Sequence, residues 1–444
     1  MPATGGEPPA RAPSVARGSA PLFWAQVAGN AGLFAALVPI TRELGPAGRG
    51  TLAFVTVTAI VSATVSRLGV TEATTVFAAQ RPRQRSVLLA NTMLAVTVAS
   101  ACAAAIVCGG LLLVPALRPP GVGSAELAAL GLGMVASALT DAGYMFTLGC
   151  SRFRFHAAVT IAAAWLYAGT IAVVALAAGL TVIRAAAIWV AFQALKALVL
   201  LSAGVRAEGL GRPDRRLLLE SVSFGLRAWI GSLSTAFNDR LDQIFVALLA
   251  SEVALGLYAA AVNAFEILVY LASAAATAIL PLVARAGIDV RTERVLGAFR
   301  SVAVVTAAGI AIGAVVGPPL LPLMFGEAFE ASETPFLWLL PGALGFVAMA
   351  IFSNALVASS APGRSSLGPL VSLALSIVGD VLLIPPLGDK GAAIAASAAL
   401  LAGGATAIAL YWARDRFPVR ALLVPRRSDL ELLGALARPF ARRA

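Results

Sequence analysis

The chain has 444 residues, 59% of them hydrophobic and 12% charged, with a mean hydropathy of +0.89. Soluble domains are roughly 45–50% apolar and about 25% charged, so this composition excludes an ordinary soluble protein and calls for burial in lipid. The net charge of +11 would suit a nucleic-acid binder, but the arginines sit between apolar runs, where they report membrane topology instead.

A spanning helix needs about 20 apolar residues. Breaking the apolar runs at charge clusters and Pro/Gly loops predicts twelve spans, at 20–41, 51–79, 86–114, 125–149, 157–179, 182–205, 222–250, 256–284, 298–324, 335–358, 367–386 and 391–413. Residues 1–19 are read as a disordered arm, and no small-residue cleavage site marks them as a signal peptide. From Ser428 a Ser-x-x-Glu box opens a basic amphipathic helix, with Leu430, Leu433, Leu436 and Phe440 set against Arg438, Arg442 and Arg443. Such a helix lies on a membrane surface.

Of the arginines and lysines outside the spans, 24 fall on one side: Arg11 and Arg17, the clusters at 81–85, 152–154, 206–216 and 285–300, Arg364, and the tail after 413. Five fall on the other: Arg42, Arg49, Arg118, Arg184 and Lys390. The positive-inside rule therefore puts both termini in the cytoplasm of a multi-pass protein of the cytoplasmic membrane. The longest inner connection, 206–221, separates a six-helix lobe at 20–205 from another at 222–413, leaving 414–444 as a cytoplasmic tail. The stretch Gly48-Arg49-Gly50 before span two aligns with Ala254-Leu255-Gly256 before span eight, at an offset of 206. Both halves start and end on one side, so the repeat is parallel. The fold class is an all-α polytopic membrane protein of about twelve helices, in two parallel six-helix lobes around a central cavity.

Polar residues inside spans usually face protein or a water-filled cavity. On span seven, Arg227, Gly231, Ser234, Asn238 and Asp242 share one stripe, and Arg240 points away from it. On span eight, Asn263, Glu266, Tyr270, Ser273 and Thr277 recur every three or four residues. Span one offers Gln26 and Asn30, span two Thr58, Ser62, Ser66 and Glu72 beside Arg67, and span four Ser137, Asp141 and Tyr144. Span eleven adds Ser372, Ser376 and Asp380, and Lys196 sits on span six. Spans one, two, seven and eight are the expected cavity walls. The alternative, in which each group satisfies a neighbour inside a dry bundle, stays open at this stage. A structural Glu266 would be locked against a cation such as Arg240. Gly309, Gly313 and Gly317 on span nine predict close helix packing.

The sequence holds no phosphate-binding loop, zinc signature or nucleophile elbow. Cys102, Cys108, Cys150 and the single His156 lack metal-ligand spacing. The outward connections are too short to close over a substrate, so neither a cofactor nor catalysis is expected.

The Gly-Pro-x-x-x-Gly stretch from Gly45 to Gly50, and the phrase from Asp242-Gln243-Ile244-Phe245 through Gly256-Leu257-Tyr258 to Pro281, resemble the polysaccharide or O-antigen flippases. These belong to the multidrug/oligosaccharidyl-lipid/polysaccharide exporter superfamily. The resemblance implies a V-shaped pair of lobes that moves a polyprenyl-pyrophosphate-linked oligosaccharide outward by alternating access. A coupling proton or sodium ion and a polysaccharide polymerase are the partners it implies. On that reading Arg67, Arg227, Arg240, Asn30, Asn238 and Tyr270 are the substrate contacts, and Glu72, Asp141, Asp242 and Glu266 the coupling acids. Two alternatives remain: a drug or cation antiporter of the same fold, and a membrane enzyme of envelope sugar assembly.

Overall fold

The computed structural model describes residues 15–284, 288–358 and 362–423. The predicted arm before residue 15 and the amphipathic helix from Ser428 lie outside the described residues. The helices are α1 (Val15–Ser66), α2 (Val70–Gln80), α3 (Arg85–Leu113), α4 (Ser124–Gly149), α5 (Phe153–Ala178), α6 (Val182–Glu208), α7 (Arg215–Leu249) and α8 (Glu252–Ala284). They continue with α9 (Ile288–Phe325), α10 (Glu333–Leu339), α11 (Gly342–Ala358), α12 (Pro362–Ser365), α13 (Leu367–Leu387), α14 (Asp389–Asp415) and α15 (Arg420–Leu423). No strand occurs among the described residues.

Among those residues, nine helices are long and apolar enough to cross a membrane, or ten when the pair Glu327–Leu339 and Gly342–Leu356, bent by 45°, is taken as one span. Two features reconcile this with twelve predicted spans. First, α1 holds two crossings: Gly45, at φ 64° and ψ 179°, kinks it, and Pro46 then suits the first turn of the next segment because that position needs no N–H. The predicted outward loop at 42–50 is therefore helical apart from one residue. Second, α7 carries too many charges for a purely apolar test.

The second span is broken near its inner end. Leu68 and Gly69 both take left-handed backbone, at φ 47° and 77°, and Gly69 caps the start of α2. Elsewhere helices run further than the sequence predicts. Helix α6 continues to Glu208 and α7 starts at Arg215, so the connection between the halves is non-helical only at 209–214. Asp214 caps α7 by accepting from the Leu217 N–H at 2.6 Å. Its backbone is held in turn by Asn91 on α3, through two hydrogen bonds of 2.9 Å. The glycines of α9 are filled by side chains rather than by a neighbouring backbone: Leu268 packs at Gly309 and Phe336 at Gly317.

In the first half α4 packs on α3 and α6; in the second, α14 packs on α13 and α11. The halves meet chiefly where α1 crosses α8 and α7. The largest buried cluster straddles that crossing, joining Ala36, Ile40 and Phe54 to Tyr258, Phe265 and Phe325. This apolar contact lies toward the arginine-poor end, and the site adjoins it, sharing Ile40, Leu52 and Ala53.

Candidate functional site

Helices α1, α5 and α6 of the first half and α7 and α8 of the second line a cavity of about 200 Å³. Its walls are mostly apolar, with Leu33, Leu37, Leu52, Val57 and Ile60 from α1, and the polar groups are Arg49, Thr56, Tyr167, Arg240, Gln243 and Asn263. Trp189 supplies an aromatic face. Each half therefore brings one guanidinium to the space between them.

Arg49 is the main departure from the sequence reading. Placed there in an outward loop, it is instead a helical residue, 8% exposed, whose Nε has no hydrogen-bond partner. A buried donor without a partner is costly, and this one lies within electrostatic range of Tyr167, Arg240 and Glu266. Arg240, expected to point away from the polar stripe of α7, is the residue of that helix that faces the cavity, with Gln243. It pairs with Glu266 at 2.7 Å, and Tyr270 donates to the same carboxylate at 3.2 Å. Of the polar residues expected along α8, Asn263 lines the cavity, and Glu266 has the ion pair reserved for a structural carboxylate.

The expected cavity stripe of α7 turns elsewhere. Asn238 donates to the Pro369 carbonyl on α13 at 3.1 Å, inside the second half. Asp242 is buried, accepting from Tyr258 at 2.5 Å and from the Gln243 N–H at 2.7 Å. Asp380 on α13 is fully buried within electrostatic range of both Asp242 and Tyr258. Ser376 donates to one of its oxygens at 3.3 Å, and the other has no partner. Two carboxylates therefore share the core of the second half, with Asp242 between the cavity residues Arg240 and Gln243 in the α7 sequence.

A third group lies in the first half, at the broken span. Arg67, 8% exposed, pairs with Asp141 at 3.1 Å, and Lys196 is within electrostatic range of that acid. Glu72 accepts from Thr71 at 2.8 Å. Asn30 lies on the α1 face that continues into Leu33 and Leu37 and is bonded to Gln26 at 3.4 Å. Arg227 is exposed on α7, two residues beyond Gly225. Thr58, Ser62 and Ser66 are not on the cavity face of the second span, which runs through Arg49, Ala53, Thr56 and Ile60.

A model of the polysaccharide biosynthesis protein family matches residues 15–286, more than half of the chain. The chain belongs to this family. Its fold is similar to that of the lipid II flippase MurJ in an inward closed conformation, at 10% identity and a TM-score of 0.73, over 96% of this chain and 93% of that one. An inward-facing multidrug resistance transporter of the MATE family and MOP superfamily matches at 12% identity and a TM-score of 0.67, over 87% and 94%. A MOP superfamily transporter from Pyrococcus furiosus, described as having a binding pocket of reversed polarity, matches at 14% and 0.61, over 90% and 94%. No curated protein sequence is significantly similar. At these identities the solved structures establish the fold alone: a multi-pass helical architecture also found in a lipid II flippase and in a multidrug resistance transporter.

Sequence reasoning missed Arg49, Tyr167, Trp189 and Gln243. A signal for the first was present. Arg49 continues the apolar face of Leu52, Ala53, Thr56 and Ile60 at helical spacing, which an outward loop would not do.

Proposed function

We propose that this chain is a flippase that moves a polyprenyl-pyrophosphate-linked oligosaccharide across the cytoplasmic membrane by alternating access, for cell-surface polysaccharide assembly. The arginine-rich end, carrying both termini, faces the cytoplasm, and the product passes to a polysaccharide polymerase on the other side. The observation that carries this reading is the pair Arg49 and Arg240, one from each half, on the wall of a cavity whose described lining includes no carboxylate. Guanidinium groups offer forked donors that match phosphate oxygens, and the free Nε of Arg49 leaves one such donor unused. A cation exporter needs the opposite balance of charge. The mostly apolar lining favours carriage of a lipid-linked substrate over catalysis on it.

For energy coupling, the buried carboxylates Asp242 and Asp380 are the best candidates to hold a proton or a sodium ion, with Asp141 and Glu72 as the corresponding acids of the first half. Burial makes a bare carboxylate expensive, so each such group responds to a counter-cation.

The test is flipping of a fluorescent polyprenyl-pyrophosphate sugar in proteoliposomes. Arg49→Ala and Arg240→Ala should each abolish most of the flipping while the protein still folds, and Arg49→Lys should restore part of it, because a point charge replaces a fork. Flipping by Arg49→Ala at the parent rate would remove the cavity arginines from the site.

A further inference from the structure

Two contacts between the halves lay glycine backbone on glycine backbone, one to each side of the cavity along the helices. At the arginine-poor end a methyl added to Gly50 would stand 2.8 Å from the Glu252 carbonyl carbon and 3.0 Å from the Gly256 nitrogen. A methyl added to Gly256 would stand 2.7 Å from the Pro46 carbonyl carbon and 3.1 Å from the Gly50 nitrogen. Glu252 lies four residues before Gly256 and Pro46 four before Gly50, so the contact maps onto itself. Its members are equivalent positions of the repeat, related by the 206-residue offset. Polar bonds reinforce this end: Glu252 accepts from the Gly121 N–H at 3.0 Å and from Thr51 at 3.4 Å. Arg42 donates to the Met324 carbonyl, at the end of α9, at 2.8 Å.

At the arginine-rich end Gly225 of α7 meets Gly69, the left-handed residue at the break in the second span. A methyl on Gly225 would stand 3.0 Å from the Gly69 Cα, and one on Gly69 would stand 2.8 Å from the Gly225 Cα. These positions are not equivalent in the repeat. Around them Trp229 donates to the Thr64 carbonyl at 3.0 Å and Arg81 pairs with Glu220.

We infer that these two contacts are opposing latches: each seals one end of the cavity, and a single methyl group placed in one of them releases that end while the other stays closed. The obstruction in each case is main chain, which cannot swing aside as a side chain does, so the helices must part. Gly225, Gly50 and Gly256 are helical, and alanine there raises helix propensity. Loss of closure by these variants therefore cannot come from a weakened helix. Gly69 is left out of the test because its positive φ strains any other residue.

The inference takes from the proposed function only that the cavity opens to both sides, and its test needs no substrate, so its failure is distinct from failure to flip a lipid. The full chain carries a reporter, Asn263→Cys on the cavity wall, with Cys102, Cys108 and Cys150 replaced by serine. A membrane-impermeant maleimide is applied to cells and, separately, to inverted vesicles. Gly256→Ala should raise labelling from the Gly50 side roughly tenfold or more, the change expected when a state populated at a few per cent becomes a major one. Gly225→Ala should do the same from the opposite side only, and Gly50→Ala should reproduce Gly256→Ala. Unchanged labelling, or a rise from one and the same side for Gly225→Ala and Gly256→Ala, overturns the inference. If the alanine variants fail to accumulate, the pair Thr51→Cys and Glu252→Cys serves. Its disulfide should cut labelling of the reporter position at 263, read on its own proteolytic peptide, from the Gly50 side below the reduced level, and equal labelling of that peptide when oxidised and reduced would defeat the inference.

Discussion

Arg240, on the cavity wall, and Glu266 hold each other at 2.7 Å, one on α7 and the other on α8 of the same half. The pair is partly exposed, at 26% and 19% of the two side chains, so its strength lies between that of a surface bridge and that of a buried one.

Glu266→Gln should leave a folded protein with weakened flipping, because it frees Arg240 from its partner and alters the charge that the substrate meets. A double-mutant cycle with Arg240→Gln, read by thermal denaturation in detergent, should give a coupling within about 0.5–3 kcal/mol. Zero coupling would mean that the pair does not stabilise the fold.

Asp141 neutralises Arg67 at the break in the second span, where the guanidinium is buried and its Nε is already unpaired. Asp141→Ala should therefore lower stability by about 1–3 kcal/mol, and Arg67→Leu in the same chain should recover much of the loss, since the stranded charge is then gone. Failure of the second change to rescue the first would show that Asp141 acts through something other than this pair.

Tyr258 supplies the only side-chain hydrogen bond described for Asp242. Tyr258→Phe should destabilise the second half by about 1–3 kcal/mol. Asp380→Asn should instead leave the fold intact and flatten the dependence of flipping on pH or sodium, which transport measured across a series of imposed gradients would reveal. Normal gradient dependence in Asp380→Asn would move the coupling site elsewhere.

Glu220, on the part of α7 outside the predicted span, accepts from Arg81 at 2.9 Å, and that hydrogen bond holds its carboxyl below the ordinary value of 4.5. A carboxyl depressed in this way stabilises the closed end above its ordinary value, and the contribution is lost as pH falls through the lower, folded value. Spin labels at Gln84→Cys and Ser223→Cys, both exposed positions, should move apart as the pH is taken below 4.5. In Glu220→Gln they should be further apart already at neutral pH and insensitive to acid. High salt should mimic part of the effect, because the pair is open to solvent.

The spans were legible in the sequence because a lipid-facing helix must be apolar on its outer surface whatever it packs against. The polar residues Asn263, Glu266 and Tyr270 stand out on the otherwise apolar α8, and of these Asn263 lines the cavity. What a single helix cannot reveal is which neighbour its polar face meets. The stripe of Asn238 and Asp242 is real, but Pro369, far along the chain, and Tyr258, on the next helix, turn it into the second half, and the opposite face of α7 carries the cavity arginine. Arg49 was hidden by its surroundings. Glycine and proline beside an arginine read as a loop, yet Pro46 fits a first helical turn and Gly50 is required by the close crossing with Gly256.

That crossing leaves the two glycines interdependent. Each fits against the carbonyl that stands one turn before the other, so the spacing of the two helices is set by whichever residue is larger. A first enlargement at either position removes the contact, and a second finds nothing left to disturb. In a thermodynamic cycle the two substitutions should therefore fall far short of additive. Positions separated by 206 residues of chain act in heredity as a single locus carried twice, with two ways to lose it and no way for one copy to compensate for the other.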